Sequence, residues 1–411
     1  MSKSKGKIIA CLDLGTTKIT CIIAAINERN ISILGYSYKQ SQGIVASAIS
    51  DMELAQSSIV KVISDAEKKA GFNIDRLILS LSGNRLLSEK KEVNNKISGS
   101  TVRGSDITNL ARKIAAQYNK NNREVVHLIP LQYKIDDSNY VQNPRHMSGD
   151  KLTTKFHMIS ASMTTTKNIQ SCLKRCQLSV NNYISESYST ALACLNDSEF
   201  NSSGSLVINM GGVTTSFAVI MDGNLVYNGN INIGGVNITK DISTILNIDF
   251  DIAEQIKILN NSLIINPIEE KELIKMKIGS FSDNFGIVRI TKKELRDIIS
   301  CRIEEIIEMV KKDLDKNSYG SHLFKNIVIS GGVCSIIGVE KIVNRVFDKQ
   351  ARIGYPQKVN DLPSELNDPS FSNPIGMLIF LQNIYRKEKN SSGFDIKAGP
   401  LKKLINYLMS L

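Results

Sequence analysis

Asp13-Leu14-Gly15-Thr16-Thr17-Lys18 joins two apolar runs, residues 8–13 and 19–26, and each run reads as a strand with a tight Gly/Thr turn between them. A third strand follows over 31–38. Residues 52–70 have helical periodicity and stop at Gly71, a suitable C-cap, and 77–81 is again a strand. The same order returns further along the chain. There is a strand over 206–209, the turn Gly211-Gly212-Val213-Thr214-Thr215, a return strand over 216–221, the hairpin signal Asp222-Gly223 and a third strand over 225–233. One copy starts near residue 8 and the other near 205. A domain-sized internal repeat of this kind predicts an α/β fold with two similar lobes.

Between the copies, residues from about 85 to 162 read as a separate unit, with strands over 91–97, 125–135 and 151–160 and a helix over 105–118. Helix 167–178, strand 182–184 and helix 186–195 lead into the second copy. Beyond it come helices over 236–246 and 251–259. A capping box, Thr291-Lys292-Lys293-Glu294, opens a long helix to about 315. A strand over 326–330 ends in Gly331-Gly332, and helices over 336–347 and 374–385 close the body.

Composition bounds the rest. With 411 residues, 42% hydrophobic and 22% charged, the chain is an ordinary globular one of two or three domains. The longest apolar runs, such as 375–381, fall short of the 18 or so residues that cross a bilayer. The basic start is followed by an apolar stretch, 8–12, too short for a signal peptide and interrupted by Asp13, so the chain reads as neither secreted nor integral to a membrane. A charge of +11 permits an anionic lipid, an acidic peptide or nucleic acid, but no aromatic-interleaved basic cluster supports nucleic acid. Seven Cys without framework spacing read as free thiols. Cys172 and Cys176 share a helix face, but the four His are scattered, so small buried side chains are the better reading than a metal pair.

The two turns carry the chemistry. Glycine lets a backbone approach an anion, and successive N–H groups of a turn can cradle phosphate. Asp13 can hold a metal-bound water, since Mg²⁺ keeps most of its hydration and prefers carboxylates. The first turn alone is better read as a plain β-turn. Facing the second one, Gly15, Thr16, Thr17 and Lys18 oppose Gly211, Gly212, Thr214 and Thr215 as a clamp on a nucleotide's phosphates. Gly331 and Gly332 let a base or ribose lie on the backbone. Glu254 and Lys257, i and i+3 on a helix, read either as part of that cleft or as a solvated ion pair.

In this order and spacing the four pieces resemble the actin-like ATPase superfamily of actin, DnaK-type chaperones and sugar kinases, and most closely its bacterial cell-division family, FtsA. Glu186 with the small-residue helix Ser189-Thr190-Ala191-Leu192-Ala193 resembles the first interdomain connector, and Pro374-Ile375-Gly376-Met377 the second. Val126-His127-Leu128-Ile129-Pro130, Asn143-Pro144, Met147-Ser148-Gly149 and His157-Met158-Ile159-Ser160 look like the subdomain that FtsA inserts in place of actin's usual small lobe. Ile233-Gly234-Gly235, Thr239-Lys240-Asp241-Ile242 and Arg352-Ile353-Gly354 follow the same pattern.

The resemblance implies a ribonuclease H-like duplicated fold that binds ATP and Mg²⁺. Its parts would be a lobe I core over 1–84 and 164–198, interrupted by the insertion at 85–163, and a lobe II core over 199–245 and 319–355 with a small subdomain at 246–318. Residues 356–385 would return to lobe I, 386–399 would be a flexible linker and 400–411 a terminal helix. Asp13 would hold Mg²⁺ through water, with Asn209 where the family has Asp; Gly235 would belong to the nucleotide cleft, and Glu186 would position the attacking water. Ser216 also replaces a family Asp, and Val213 a Gly. An amide cannot supply the anionic contact to Mg²⁺, so the expectation is nucleotide binding with hydrolysis slow or absent.

After 385 the sequence turns polar, and then Leu401, Leu404, Ile405, Leu408 and Leu411 form one helical stripe flanked by Lys402 and Lys403, with Pro400 suited to the first turn. Such a helix either docks on its own body or lies in a membrane interface; the polar tether favours the membrane. Five half-buried apolar side chains give roughly 5 kcal/mol, much of it offset by ordering the helix, so an array would hold where one copy would not. FtsA ends in a membrane-targeting helix of this kind. The resemblance also implies polymerisation, binding of the C-terminal peptide of the tubulin-like FtsZ near Arg302 and Lys293 on the long helix, and later division proteins meeting the inserted subdomain. The expected place is the cytoplasmic face of the inner membrane, as a peripheral protein. The alternatives are a PilM-like pilus-assembly adaptor, which lacks such a terminal helix, or a soluble actin-fold ATPase or kinase, for which no further catalytic carboxylate or sugar site is visible.

Overall fold

The computed structural model describes residues 6–83, 85–278 and 286–390. Strands β1 (Lys7–Leu14) and β2 (Lys18–Ile26) pair antiparallel from Lys7↔Ile26 to Leu14↔Ile19, and β3 (Ile31–Gln40) continues on β2. These strands read as near-continuous apolar runs because both faces are covered; Cys11, Leu12, Leu14, Ile19 and Ile22 are all buried. A short hairpin follows, β4 (Ile44–Val45) and β5 (Ala48–Ile49). Helix α1 (Met52–Ala70) starts where the Asp51 carboxylate accepts the N–H groups of Glu53 and Leu54. It buries Ala55, Ile59, Val62 and Ala66 and ends at left-handed Gly71. β6 (Arg76–Leu81) then runs parallel to β1.

The inserted unit comprises β7 (Leu86–Lys96), α2 (Gly104–Lys120), β8 (Arg123–Ile135) and β9 (Lys151–Ser162). Its three-stranded antiparallel sheet, in the order β7-β9-β8, has a core of its own: Leu110, Ala111 and Ile114 of α2 pack against Leu128, Leu152, Phe156 and Met158. Helix α3 (Met163–Arg175) and β10 (Ser179–Ser185) return the chain to the first sheet, whose order is β10-β6-β1-β2-β3.

Helix α4 (Glu186–Cys194) and the single turn α5 (Asp197–Phe200) lead to the second lobe. It is built from β11 (Ser205–Met210), β12 (Thr215–Met221), β13 (Asn224–Ile231), α6 (Gly235–Leu246) and α7 (Phe250–Leu259). The hairpin β14 (Leu273–Ile278) and β15 (Gly286–Thr291), α8 (Lys292–Lys316), β16 (Asn326–Ser330), α9 (Val339–Phe347) and β17 (Ala351–Ile353) follow. The second sheet has the order β13-β12-β11-β16-β17. In each lobe an antiparallel triplet is flanked by parallel strands on the side of its first member, so the repeat read from the turns is a repeat of topology. Helix α10 (Ser372–Asn390) crosses back to lobe I.

Two buried histidines tie the insertion to the lobes. His157 Nδ1–H donates to Leu225 O (2.8 Å), and Asn228 N–H donates to Ser88 Oγ (3.2 Å), across the gap to β13. His127 Nε2 accepts the Ser185 N–H at 3.0 Å. Burial holds both rings neutral, His127 pushed down to about 3 and His157 to about 4.

The structure departs from the sequence reading in several places. α10 continues to Asn390, so 386–390 is helix where a linker was expected. Helix α3 starts at Met163, ahead of the expected 167, and α9 starts only at Val339, because Gly332–Ser335 is a tighter turn and Gly338 before the helix is left-handed. The hairpins β4-β5 and β14-β15 and the short strand β17 were not expected. Residues 391–399 and the terminal stripe 400–411 lie outside the described residues.

Candidate functional site

The two Gly/Thr turns meet face to face. Gly212 comes so near the other lobe that a Cβ built on it would lie 2.6 Å from Thr17 Cγ2, so a side chain there must displace that of Thr17. The second turn is braced from behind by α6, whose first residues Gly235 and Val236 donate their N–H groups to Gly211 O (2.9 Å) and Gly212 O (2.7 Å). A cavity of about 600 Å³ opens between the turns. Thr16, Thr17, Gly211, Gly212, Gly235, Glu254, Lys257 and Gly332, eight of the residues singled out in the sequence, line it.

Glu254 and Lys257 form more than a solvated pair. Lys257 Nζ lies 2.7 Å from Glu254 Oε2 and donates to Thr239 Oγ1 (2.7 Å) and Gly235 O (3.2 Å), while Thr239 donates to Glu254. This network pins α7 to α6 along one wall. Gln40, Ser41 and Phe250 also line the cavity and carried no sequence signal. The Ser41 hydroxyl oxygen is buried without a hydrogen-bond partner.

Two buried carboxylates, Asp13 and Glu186, stand behind the turns and do not themselves line the cavity. Asp13 accepts from Ser80 Oγ (2.8 Å) and from the Asn373 side chain. Glu186, at the start of α4, accepts from Ser216 Oγ (3.1 Å) and from the side chains of Ser82 and Asn209. Burial raises Asp13 above the usual carboxylate range. Burial, and then the neighbouring charge of Asp13, push Glu186 up to about 8. Asn209 and Ser216, neutral donors that face each other in the β11–β12 register, spare the pair a third and fourth acid. Among the described residues, no cluster of three His, Cys, Asp or Glu side chains stands ready to ligate a metal directly.

Other singled-out residues lie behind the cavity. Lys18 Nζ donates to Ser370 Oγ (2.9 Å) and sits 3.4 Å over the Phe371 ring; burial lowers it to about 8. Thr215 donates to Ile233 O (2.8 Å), and Gly331 donates its N–H to Pro369 O (3.2 Å). Gly15 and Thr214 belong to the two turns and do not line the cavity.

Beneath the two carboxylates the connectors cross. Gly376 of α10 lies directly on the Ser189 carbonyl of α4, with no room for a Cβ. Ser189 donates to Asn373 Oδ1, and Asn373 Nδ2 donates to Ser80 Oγ (3.0 Å). On the far side of lobe II, Arg302 is engaged with Asp241 of α6 (2.8 Å from Nη2) and with Glu305, and Lys293 lies 3.7 Å from Glu270.

A family model described as "Cell division protein FtsA" matches residues 206–376, and one described as "SHS2 domain inserted in FTSA" matches residues 83–160, together more than half of the chain. The chain belongs to the FtsA family. A relative named Cell division protein FtsA from Agrobacterium fabrum is 28% identical over 393 residues, covering 93% of this chain and 88% of the relative. One of the same name from Borreliella burgdorferi is 29% identical over 377 residues, covering 91% and 90%.

The fold is the actin-like one. The chain is similar to a solved PilM-PilN type IV pilus biogenesis complex (TM-score 0.65, 12% identity, 93% of this chain and 99% of that chain). It is also similar to MreB5 of Spiroplasma citri bound to ADP (TM-score 0.53, 16% identity, 94% and 100%). The FtsA insertion and the FtsA core thus both have their counterparts here, and the chain is a cell-division protein by family. No described helix is long and apolar enough to cross a membrane.

Proposed function

We propose that this chain is an ATP-binding adaptor that polymerises and anchors FtsZ filaments to the cytoplasmic face of the inner membrane. The observation that carries the nucleotide part is the close approach of Gly212 to Thr17 over a 600 Å³ cavity whose walls are the two turns. The residues fit such a ligand. Thr16, Thr17, Gly211 and Gly212 would hold the phosphates, Gly235, Glu254, Lys257 and Gly332 the nucleoside, and the unpartnered Ser41 hydroxyl is a further donor. Asp13 would hold Mg²⁺ through water. A cation there would also relieve the raised Asp13 and Glu186 carboxylates.

Hydrolysis is slow in this reading. The amide of Asn209 cannot supply the anionic contact to Mg²⁺ that a carboxylate would. Asn209 and Ser216 add no charge. Phosphate release faster than about one per minute, against roughly 10 per second for a typical enzyme, would overturn this part.

Two further parts rest on family membership and sequence. The stripe Leu401, Leu404, Ile405, Leu408 and Leu411 with Lys402 and Lys403 supports a membrane-targeting helix. The basic residues Arg302 and Lys293 on α8 suit the FtsZ tail peptide. Arg302 would have to exchange Asp241 for a peptide acid, a swap between equal partners that favours a weak, reversible contact. Later division proteins would meet the inserted subdomain. The deciding experiment is co-sedimentation with anionic vesicles at fixed ATP, with and without an FtsZ tail peptide. Deleting 400–411 should abolish pelleting, and Arg302→Glu should lower peptide affinity; either change left without effect rejects its part.

A further inference from the structure

A second cavity, of about 340 Å³, opens at the opposite end of lobe I from the turns. It lies where β1 begins and α10 finishes, and its lining is mainly apolar, with Lys7, Arg76, Asp75 and three asparagines among it. Leu381, Ile384 and Tyr385, at i, i+3 and i+4 on α10, form one side, and Ile8, Phe72 and Ile74 face them. Ile8 and Phe72 are 42% and 47% exposed, an unusual outlay of large apolar surface at one spot. Asp75 stands on the rim, its exposed carboxylate 3.4 Å from Arg76 Nε.

We propose that this groove is the lipid-free seat of the chain's own C-terminal stripe, so that docking on lobe I and insertion into a membrane compete for the same five side chains. The place where the chain leaves the described body argues for this occupant. α10 ends at Asn390, five residues and about 8 Å past Tyr385 on the groove wall. The nine residues 391–399 span roughly 17 Å as coil, which is ample for the segment to double back. Leu401, Leu404, Ile405, Leu408 and Leu411 match the apolar side of the groove, while Lys402 and Lys403 would stay in water, since Arg76 already pairs with Asp75 and Lys7 adds a second base to the lining. A helix of twelve residues is marginal alone in water, so it gains from either surface and cannot use both at once. The proposal rests on the membrane reading only for the competition; the docking stands without it.

The chain has no tryptophan, so Leu404→Trp in the full-length protein is a single reporter inside the stripe. Without nucleotide or lipid, its emission should be blue-shifted from that of the same substitution in a free 400–411 peptide. Phe72→Glu, or Ile8→Glu if the first fails to fold, should return the emission to the peptide's value with an unchanged thermal melt. If the tail is docked nine-tenths of the time, releasing it should raise its apparent affinity for phosphatidylglycerol vesicles about tenfold.

Solvent-like emission in the parent overturns the proposal, as does a blue shift indifferent to both groove substitutions. A blue shift that fades on dilution reports a second copy as the occupant and overturns it too, and so does vesicle affinity that stays fixed when the groove is spoiled although vesicles bind. A groove-dependent blue shift with no vesicle binding in any variant keeps the docking and removes the membrane reading instead.

Discussion

In lobe I the strand pair before the turn sets Asp13 opposite Thr20; in lobe II the matching pair sets Asn209 opposite Ser216. The two sheets have the same order and the two turns the same place in it, yet the chemistry is divided between them. The first turn brings a carboxylate and, behind it, the Lys18 ammonium. The second brings glycine backbone and neutral donors that Glu186 accepts. Duplication therefore supplies geometry twice and charge once. One lobe can be specialised for shape, because the other keeps the acid.

Three substitutions probe that division. The largest effect belongs to shape: Gly212→Val drives a side chain into Thr17 and should lower affinity for a fluorescent ATP analogue at least a hundredfold, about 2.8 kcal/mol, with little change in melting temperature. Affinity within threefold of the parent would mean that the turns do not meet over the ligand.

Next comes the acid pair. Glu186 keeps its proton up to about pH 8 in the folded chain but only to the ordinary 4.5 when unfolded. The stability it contributes is thus full below 4.5 and is lost as the pH rises through 8. Glu186→Gln should flatten that dependence in the unliganded protein, leaving it more stable than the parent at pH 8 by about 1–2 kcal/mol, and equal to it near pH 4.5. Parallel melting curves across that range would remove the raised Glu186 from the account. The smallest effect tests the charge missing from lobe II. Asn209→Asp should lower the unliganded melting temperature at pH 8 by adding a third acid to that pair, and should speed Mg²⁺-dependent phosphate release about tenfold, about 1.4 kcal/mol of barrier.

The repeat was legible because it is written in local chemistry. A Gly/Thr turn between apolar runs needs no partner to be recognised, and the helix starts at Asp51 and Thr291 carry their own caps. Glu254 and Lys257 were legible as a pair, but their burial against Thr239 depends on α6 packing on α7, which no spacing encodes. Ser41, Ser80, Ser82 and Asn373 escaped notice for the same reason. Each is a small polar residue whose role comes from what another element brings beside it. Lys18 shows the converse, a residue in the right sequence position whose side chain a distant segment, Ser370 and Phe371, draws out of the cavity. The hairpin β14-β15 was missed although Leu273-Ile-Lys-Met-Lys-Ile278 alternates as a strand should; six residues beside a long helix gave too short a run to separate from loop.

Helix α10 has one end under the carboxylates and the other beside the second groove. Asn373 in its first turn holds Ser80 and Ser189, and 19 residues of continuous helix, about 28 Å, carry the chain from there past Tyr385. Because Gly376 rests on the α4 backbone with nothing compressible between them, α10 is a rod seated on a fulcrum. A shift of α4 at the Asn373 end is therefore passed along the rod to its opposite tip, beside the second groove.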